Sequence, residues 1–362
     1  MDRDHAYLAL HLLPGVGPIK ARLLLERFGT PEAVLTARRD QVLAVAGAAV
    51  ANSLRDWESL VDLDHELSLM EEGGFTIVTW ASSLYPELLR QIHAPPLVLY
   101  VWGELQERDR HALAVVGTRR MSRYGRECTK QFSYQLARAG VTIVSGLAYG
   151  VDTVAHEAAL AAGGRTLAVL GSGLKHLYPP ENLGLAQKIS ESGAVLSQFP
   201  IETKPDPRLF PARNHIVSGV SHGVLVVEGN RKSGSMLTAQ AALSQNRSVY
   251  AVPGPIDRPG SAGPHSLIQD GAKLVCSAED ILADGLFPDA EQSPELPLFS
   301  PPLDLNDLEK RLLDCLSEGS CSIDELVQKT GLPSPVVSST LLRLEMRRLV
   351  RRLPGMAYEC LV

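Results

Sequence analysis

Apolar positions recur at helical spacing through residues 1–74. Ala21, Leu24, Leu25 and Phe28 share a face in "PIKARLLLERFG". The pattern breaks at Pro14-Gly15-Val16-Gly17 and again, more weakly, at Ala46-Gly47. A Gly-x-Gly between helices turns backbone N–H groups outward, and helix-hairpin-helix units hold phosphate in this way. A plain helical bundle with a tight turn fits the first break too, and the second lacks the double glycine. The pattern then changes over residues 75–285. Eight short apolar runs alternate with helical stretches: "FTIVTW", "LVLYVWG", "ALAVVG", "VTIVSG", "TLAVLG", "AVLSQF", "GVLVVEG" and "SVYAVP". The last six show little polar alternation, as expected for strands buried on both faces of a parallel sheet. Glycines cluster at their C-terminal ends, where open α/β sheets bind ligands. This predicts an α/β fold with an extended Rossmann-like parallel sheet.

Residues 286–303 are rich in proline and acid and read as a linker. Residues 304–362 return to helical spacing. Ser322 and Glu325 have capping-box spacing, Pro333 and Pro335 mark a turn, and a Pro-Gly turn precedes a final strand. Helix, turn, helix and wing describe a winged helix. Its second helix opens "SPVVSSTLLRL", with no cation before Arg343, which is weak support for duplex recognition.

Charge localises the chemistry. The chain has 362 residues and a net charge of −6. Residues 111–275 carry 17 lysines and arginines against ten acids, so an acidic chain holds a basic middle. An ordinary solvated face is the alternative reading. Five scattered cysteines form no CxxC pair, which argues against a structural metal and fits a reducing compartment. The longest apolar runs are far too short to span a bilayer. The expectation is a cytoplasmic protein without membrane insertion.

Four glycine-centred stretches then stand out. In "VVGTRRMSRYG", Gly117 and Thr118 lead directly into Arg119 and Arg120. This is neither GxGxxG nor a Walker A loop, and guanidinium forks suit phosphodiester oxygens. "VSGLAYGVDTVAHEAAL" supplies Ser145, Gly146 and the pair Asp152 and His156. That pair is four apart on a helix and open to a metal, general-base or structural reading. "GSGLKHLYPPEN" contributes Lys175. "FPARNH" contributes Phe210, Arg213 and Asn214, an aromatic ring beside cations, as a single strand needs for stacking and phosphate contact. In "EGNRKSGSMLTA", Lys232, Ser233, Gly234 and Ser235 form a basic Gly/Ser loop suited to an anion nest. No GxSxG elbow, paired catalytic carboxylates or cofactor fingerprint is present, so neither enzyme activity nor a cofactor is expected.

In their order and spacing these motifs, with "VYAVPGPI" and "LIQDGAKLV", resemble the DNA-processing protein DprA/Smf family over essentially the whole chain. The resemblance implies a non-enzymatic protein that binds and protects incoming single-stranded DNA during natural transformation. It implies loading of recombinase RecA, including onto strands coated with single-strand-binding protein. It further implies a homodimer through the central domain. An all-helical N-terminal domain (SAM/helix-hairpin-helix-like) and a C-terminal winged helix would flank it. By position it assigns the DNA pocket to Arg119, Arg120, Phe210, Arg213, Asn214 and Lys232 to Ser235. The chain departs from the family at His265, where asparagine is usual, and at His215, where another arginine is common. Two other classes compete with this reading. A nucleotide N-glycosidic-bond hydrolase would have to use Asp152 and Glu228, but the GGxGT run is missing. A pure protein adaptor would act through the winged helix and the dimer, leaving Arg213 and Lys232 dispensable for DNA.

Overall fold

In the computed structural model, residues 1–288, 306–317, 320–346, 349–353 and 357–360 are described. Most of the expected linker and the Pro-Gly turn of the wing lie outside them. The chain divides into two compact units, Met1–Pro294 and Glu295–Val362.

The first unit is built on a nine-stranded sheet. Its strands are β1 (Thr76–Thr79), β2 (Val98–Gly103), β3 (Ala112–Val116), β4 (Thr142–Ser145), β5 (Thr166–Val169), β6 (Ala194–Ser197), β7 (Gly223–Val226), β8 (Ser248–Ala251) and β9 (Lys273–Leu274). The spatial order is β1-β2-β6-β5-β4-β3-β7-β8-β9. All eight expected strands form, and β9 is an addition. The sheet is parallel from β6 to β9, but β2 runs antiparallel to β6 and β1 antiparallel to β2. The expected parallel sheet is therefore a mixed one. Apolar runs alone do not encode strand direction.

The parallel strands are apolar throughout because both faces are covered. Along β3, Ala112, Ala114 and Val116 face Val217, Met236 and Ala239 from helices Phe210–Gly219 and Gly234–Ser244. Leu113 and Val115 face Phe132, Leu136 and Ala155 from helices Arg123–Arg138 and Val151–Ala161. The chain runs from β3 out to β6 and returns to place β7 on the other side of β3. That reversal opens a crevice beyond the C-terminal ends of β3 and β7, where open α/β sheets bind ligands.

Helices between Arg3 and Gly73 pack Leu8, Leu10 and Leu24 into a core shared with Val98, Tyr100 and Val195 of the sheet. Thr30 and Asp62 cap two of these helices, accepting from the amides of Ala33 and His65. The Gly-x-Gly turn joins Arg3–Leu12 to Pro18–Phe28, with Gly15 at φ +82°.

The opposite end of the parallel strands is closed by a buried ion pair. Arg165 donates Nε and Nη2 to the two oxygens of Asp109, each at 2.8 Å. It also donates to the carbonyls of Glu104 and Ser192, while Thr142 Oγ1 donates to Asp109. Removing one member of such a pair strands the other charge, at about 3–5 kcal/mol. Asp109→Ala is accordingly expected to lower the unfolding free energy of the sheet-containing unit, measured by urea denaturation, by an amount of that order. A loss below about 1 kcal/mol would show that the pair does not clamp the strands.

The second unit holds helices Asp307–Ser317, Ile323–Thr330 and Ser334–Met346, with strands β10 (Cys321–Ser322), β11 (Val350–Arg352) and β12 (Ala357–Cys360). The strands pair antiparallel in the order β10-β12-β11. Ser322 and Glu325 form the expected reciprocal capping box. Leu312, Leu326, Val337, Leu341 and Tyr358 make its core.

Candidate nucleic-acid interface

Three strand ends and two helix starts converge in the crevice. Gly117 leaves β3 where an added Cβ would meet Val151 Cγ2 at 2.5 Å and the Glu228 carbonyl at 2.8 Å. A side chain there would wedge apart the loops after β3 and β7. Thr118 N donates to Glu228 O at 2.7 Å, and Val151 N to Thr118 O at 3.2 Å. The Glu228 carboxylate accepts from Ser122 N at 2.9 Å and from Ser122 Oγ at 3.1 Å. The loop carrying Arg119 and Arg120 is thus fixed at both ends.

These braces leave Arg119 exposed, with its guanidinium carbon 5.5 Å from the Phe210 ring centroid. The Arg213 guanidinium carbon lies 5.7 Å from the same centroid, so Phe210 packs between strut and rim, and a cation held over an aromatic face can still present its edge to a phosphate. Among the described residues, Arg119, Arg120 and Lys232 enter no ion pair.

Arg213, from the same short motif as Phe210, is only 6% exposed. It donates Nη1 to the carbonyls of Gly146 and, at 2.9 Å, Val169, and Nε to Asn214 Oδ1 at 3.1 Å. A Cβ on Gly146 would strike this guanidinium, so that glycine makes room for a strut. Asp152 lies below and accepts from the amides of Gly146 at 3.1 Å and Ala148 at 3.3 Å. Burial raises the Asp152 carboxyl and lowers the Arg213 guanidinium, and their mutual attraction opposes both shifts.

Helix Gly234–Ser244 begins at the far wall. Ser233 makes no side-chain cap bond to it, and its Oγ pairs instead with Ser235 Oγ at 2.7 Å. The first amides of that helix keep donors without intrahelical partners, and the local dipole favours an anion. Together these groups enclose a pocket of about 250 Å³.

Of the candidate DNA-binding residues, Gly117, Thr118, Arg119, Gly146, Phe210, Arg213, Asn214, Ser233, Gly234 and Ser235 line this pocket, and Asp152 lines it beside them. Arg120 and Lys232 are exposed on adjoining loop positions. Ser145 is fully buried, with Oγ donating to Val115 O at 2.7 Å, so its hydroxyl serves the sheet. Lys175 is not among the lining residues; its Nζ pairs with Glu202 at 2.7 Å. His265 bonds the Gly254 carbonyl at 2.9 Å and does not line the pocket. His156 Nδ1 meets Thr166 Oγ1 at 2.6 Å, and burial holds its pKa down at about 3. It therefore supports the helix as a neutral ring. Thr238, in the same EGNRKSGSMLTA stretch, lines the pocket as well, and sequence reasoning overlooked Val217. Its spacing of seven from Phe210 on one helix was the available signal. Among the described residues, no group of three His, Cys, Asp or Glu side chains is placed to hold a metal ion.

The comparisons agree with this architecture. Residues 76–285 match the family model described as DNA recombination-mediator protein A, and residues 296–356 match the DprA winged helix domain. The chain is 41% identical over 302 residues to Protein Smf of Escherichia coli, covering 81% of this chain and 79% of that one. It is 41% identical over 256 residues to DNA processing protein DprA of Bacillus subtilis, covering 70% and 84%. The X-ray structure of DNA processing protein A from Streptococcus pneumoniae superposes with a TM-score of 0.70 at 33% identity, over 78% of this chain and 99% of that one. DNA processing protein A from Helicobacter pylori, whose structure is described for its single-stranded DNA binding mode, gives 0.53 at 28% identity, over 59% and 95%.

Proposed function

The chain belongs to the DNA recombination-mediator protein A family, called DprA or Smf, and on that premise we propose that it holds single-stranded DNA during natural transformation and passes it to recombinase RecA. The observation that carries the reading is Arg119 poised over Phe210 at the rim of a pocket that ends on an open helix start. A flexible strand can present a phosphate to the arginine and an unstacked base to the ring, whereas a duplex keeps its bases stacked. Neither contact reads base identity, so sequence preference is expected to be small.

The protein acts by holding rather than by cutting. The two carboxylates available to a hydrolase both brace loops, Asp152 through Gly146 and Ala148 and Glu228 through Ser122. Handover to RecA, tolerance of single-strand-binding protein and pairing of two chains through the central domain complete the proposal. The winged helix is assigned to protein contact, because, among the described residues, the exposed face of helix Ser334–Met346 offers Ser338, Ser339 and Leu342 with a single cation, Arg343.

Fluorescence anisotropy of the full chain with oligo-dT and with a duplex of equal length tests the reading. Oligo-dT is expected to bind at least tenfold more tightly. Its affinity is expected to fall with salt at a log–log slope of about −0.7 per phosphate contacted. Equal affinity for both, or a flat salt response, would sink it.

A further inference from the structure

One exposed ring stands beside the pocket without lining it. Tyr178 is 42% exposed, and its ring centroid lies 6.4 Å from that of Phe210, with the planes at 50°. That spacing is within the range of paired aromatic rings. Phe210 itself is half-buried, with the guanidinium carbons of Arg119 and Arg213 at 5.5 and 5.7 Å from its centroid. Its edge lies against Gly171, where an added Cβ would meet Phe210 Cδ1 at 2.6 Å. Of the two rings, Tyr178 is the more open.

The loop after β5 holds that ring in place. Tyr178 sits between half-buried Leu177 and buried Pro179. Ahead of it, Lys175 N donates to the Ile201 carbonyl at 3.2 Å. Behind it, Asn182 Nδ2 donates to the Leu147 carbonyl at 2.8 Å and to Thr153 Oγ1 at 3.0 Å. Glu181 accepts from the Tyr149 hydroxyl at 2.5 Å, a second tie to the loop after β4. A ring on backbone fixed in this way loses little freedom when something stacks on it. The charges alongside select what stacks. Glu181 disfavours a phosphate, and the cation of the same loop, Lys175, is paired with Glu202 at 2.7 Å. A flat, neutral nucleobase meets neither obstacle.

We propose that Tyr178 is a stacking platform outside the pocket, which takes an unpaired base of the strand whose phosphates Arg119 and Arg120 hold. The assignment rests on the single-strand reading and adds a base contact to it. Bases in a duplex are stacked on one another and offer Tyr178 no free face, so the ring raises the preference for single strands. It contacts no phosphate, so its contribution does not change the salt response.

The test uses the full chain, Tyr178→Leu, which keeps an apolar side chain and removes the ring, and Tyr178→Phe, which keeps the ring and removes the hydroxyl. Anisotropy across a salt series compares oligo-dT with a strand of equal length built from abasic tetrahydrofuran units. Thermal midpoints check that the variants fold, and Tyr178→Gln replaces Tyr178→Leu if that one does not. Tyr178→Leu is expected to weaken oligo-dT binding about five- to a hundredfold, the range for one stacked base, with the salt slope unchanged. Its affinity for the abasic strand is expected to match that of the unaltered protein, and Tyr178→Phe is expected to bind oligo-dT normally. Unchanged oligo-dT affinity in Tyr178→Leu overturns the assignment. So does an equal loss on the abasic strand, or a shallower salt slope. If the unaltered protein binds oligo-dT no better than duplex, the single-strand reading fails and takes this assignment with it. If it prefers oligo-dT and Tyr178→Leu changes nothing, the assignment alone falls.

Discussion

Arg213→Leu is expected to destabilise the sheet-containing unit by about 3–5 kcal/mol, the cost of removing one member of a buried charged cluster. Three consequences follow from its position. The carbonyls of Gly146 and Val169 lose their donor, Asn214 loses the bond that orients it, and the Asp152 carboxyl, already raised by burial, loses the attraction that opposes that rise. Each enclosed acceptor left without a donor costs about 1–3 kcal/mol by itself. Gly146→Val is expected to do comparable damage from the other side, because its side chain would occupy the space of the guanidinium. Urea unfolding, with the slope compared between variant and unaltered protein, is the appropriate measurement. An unfolding free energy for Arg213→Leu within about 0.5 kcal/mol of the unaltered protein, as for an ordinary surface change, would show that Arg213 is no strut.

Arg119→Ala is expected to do the reverse, leaving the fold intact and weakening the strand. Affinity for oligo-dT falls about ten- to a hundredfold, the range for losing a charge-assisted phosphate contact together with the cation packed on a stacking ring. The salt slope becomes shallower by about 0.7, one phosphate contact of a single strand. Stability changes by less than about 1 kcal/mol, because the side chain is exposed and its contact with Phe210 is a surface cation–π pair. Anisotropy titrations across a salt series, beside a thermal melt, separate these effects. Unchanged oligo-dT affinity would remove Arg119 from the interface and with it the observation on which the proposed function rests. Arg119 and Arg213 lie in two short motifs that look alike, yet one should report in binding and the other in stability.

That contrast marks how far the sequence could be read. Eight strands were legible because strands buried on both faces are continuous apolar runs punctuated by glycine, as in "ALAVVG" and "TLAVLG". The ninth, Lys273–Leu274, has two exposed residues and carries no pattern. The antiparallel setting of β1 and β2 left no trace, since an apolar run reads the same in either direction. Ten of the candidate DNA-binding residues meet in one pocket because glycines, short polar residues and strand ends are local signatures. Ser145 and Lys175 carried the same signatures, and one is enclosed against Val115 while the other is paired with Glu202.

The sequence by itself determined the strands, the glycines that let loops close on one another, and the cluster of arginines and aromatic residues at the strand ends. These follow from periodicity and backbone sterics, which act over a few residues. Only the tertiary structure decided which cation is free. Arg213 is taken up by carbonyls 44 and 67 residues away, whereas Arg119 faces no such acceptor and remains open over Phe210. Burial and hydrogen bonding are set by whichever segments the fold brings alongside, and those partners are remote in the chain.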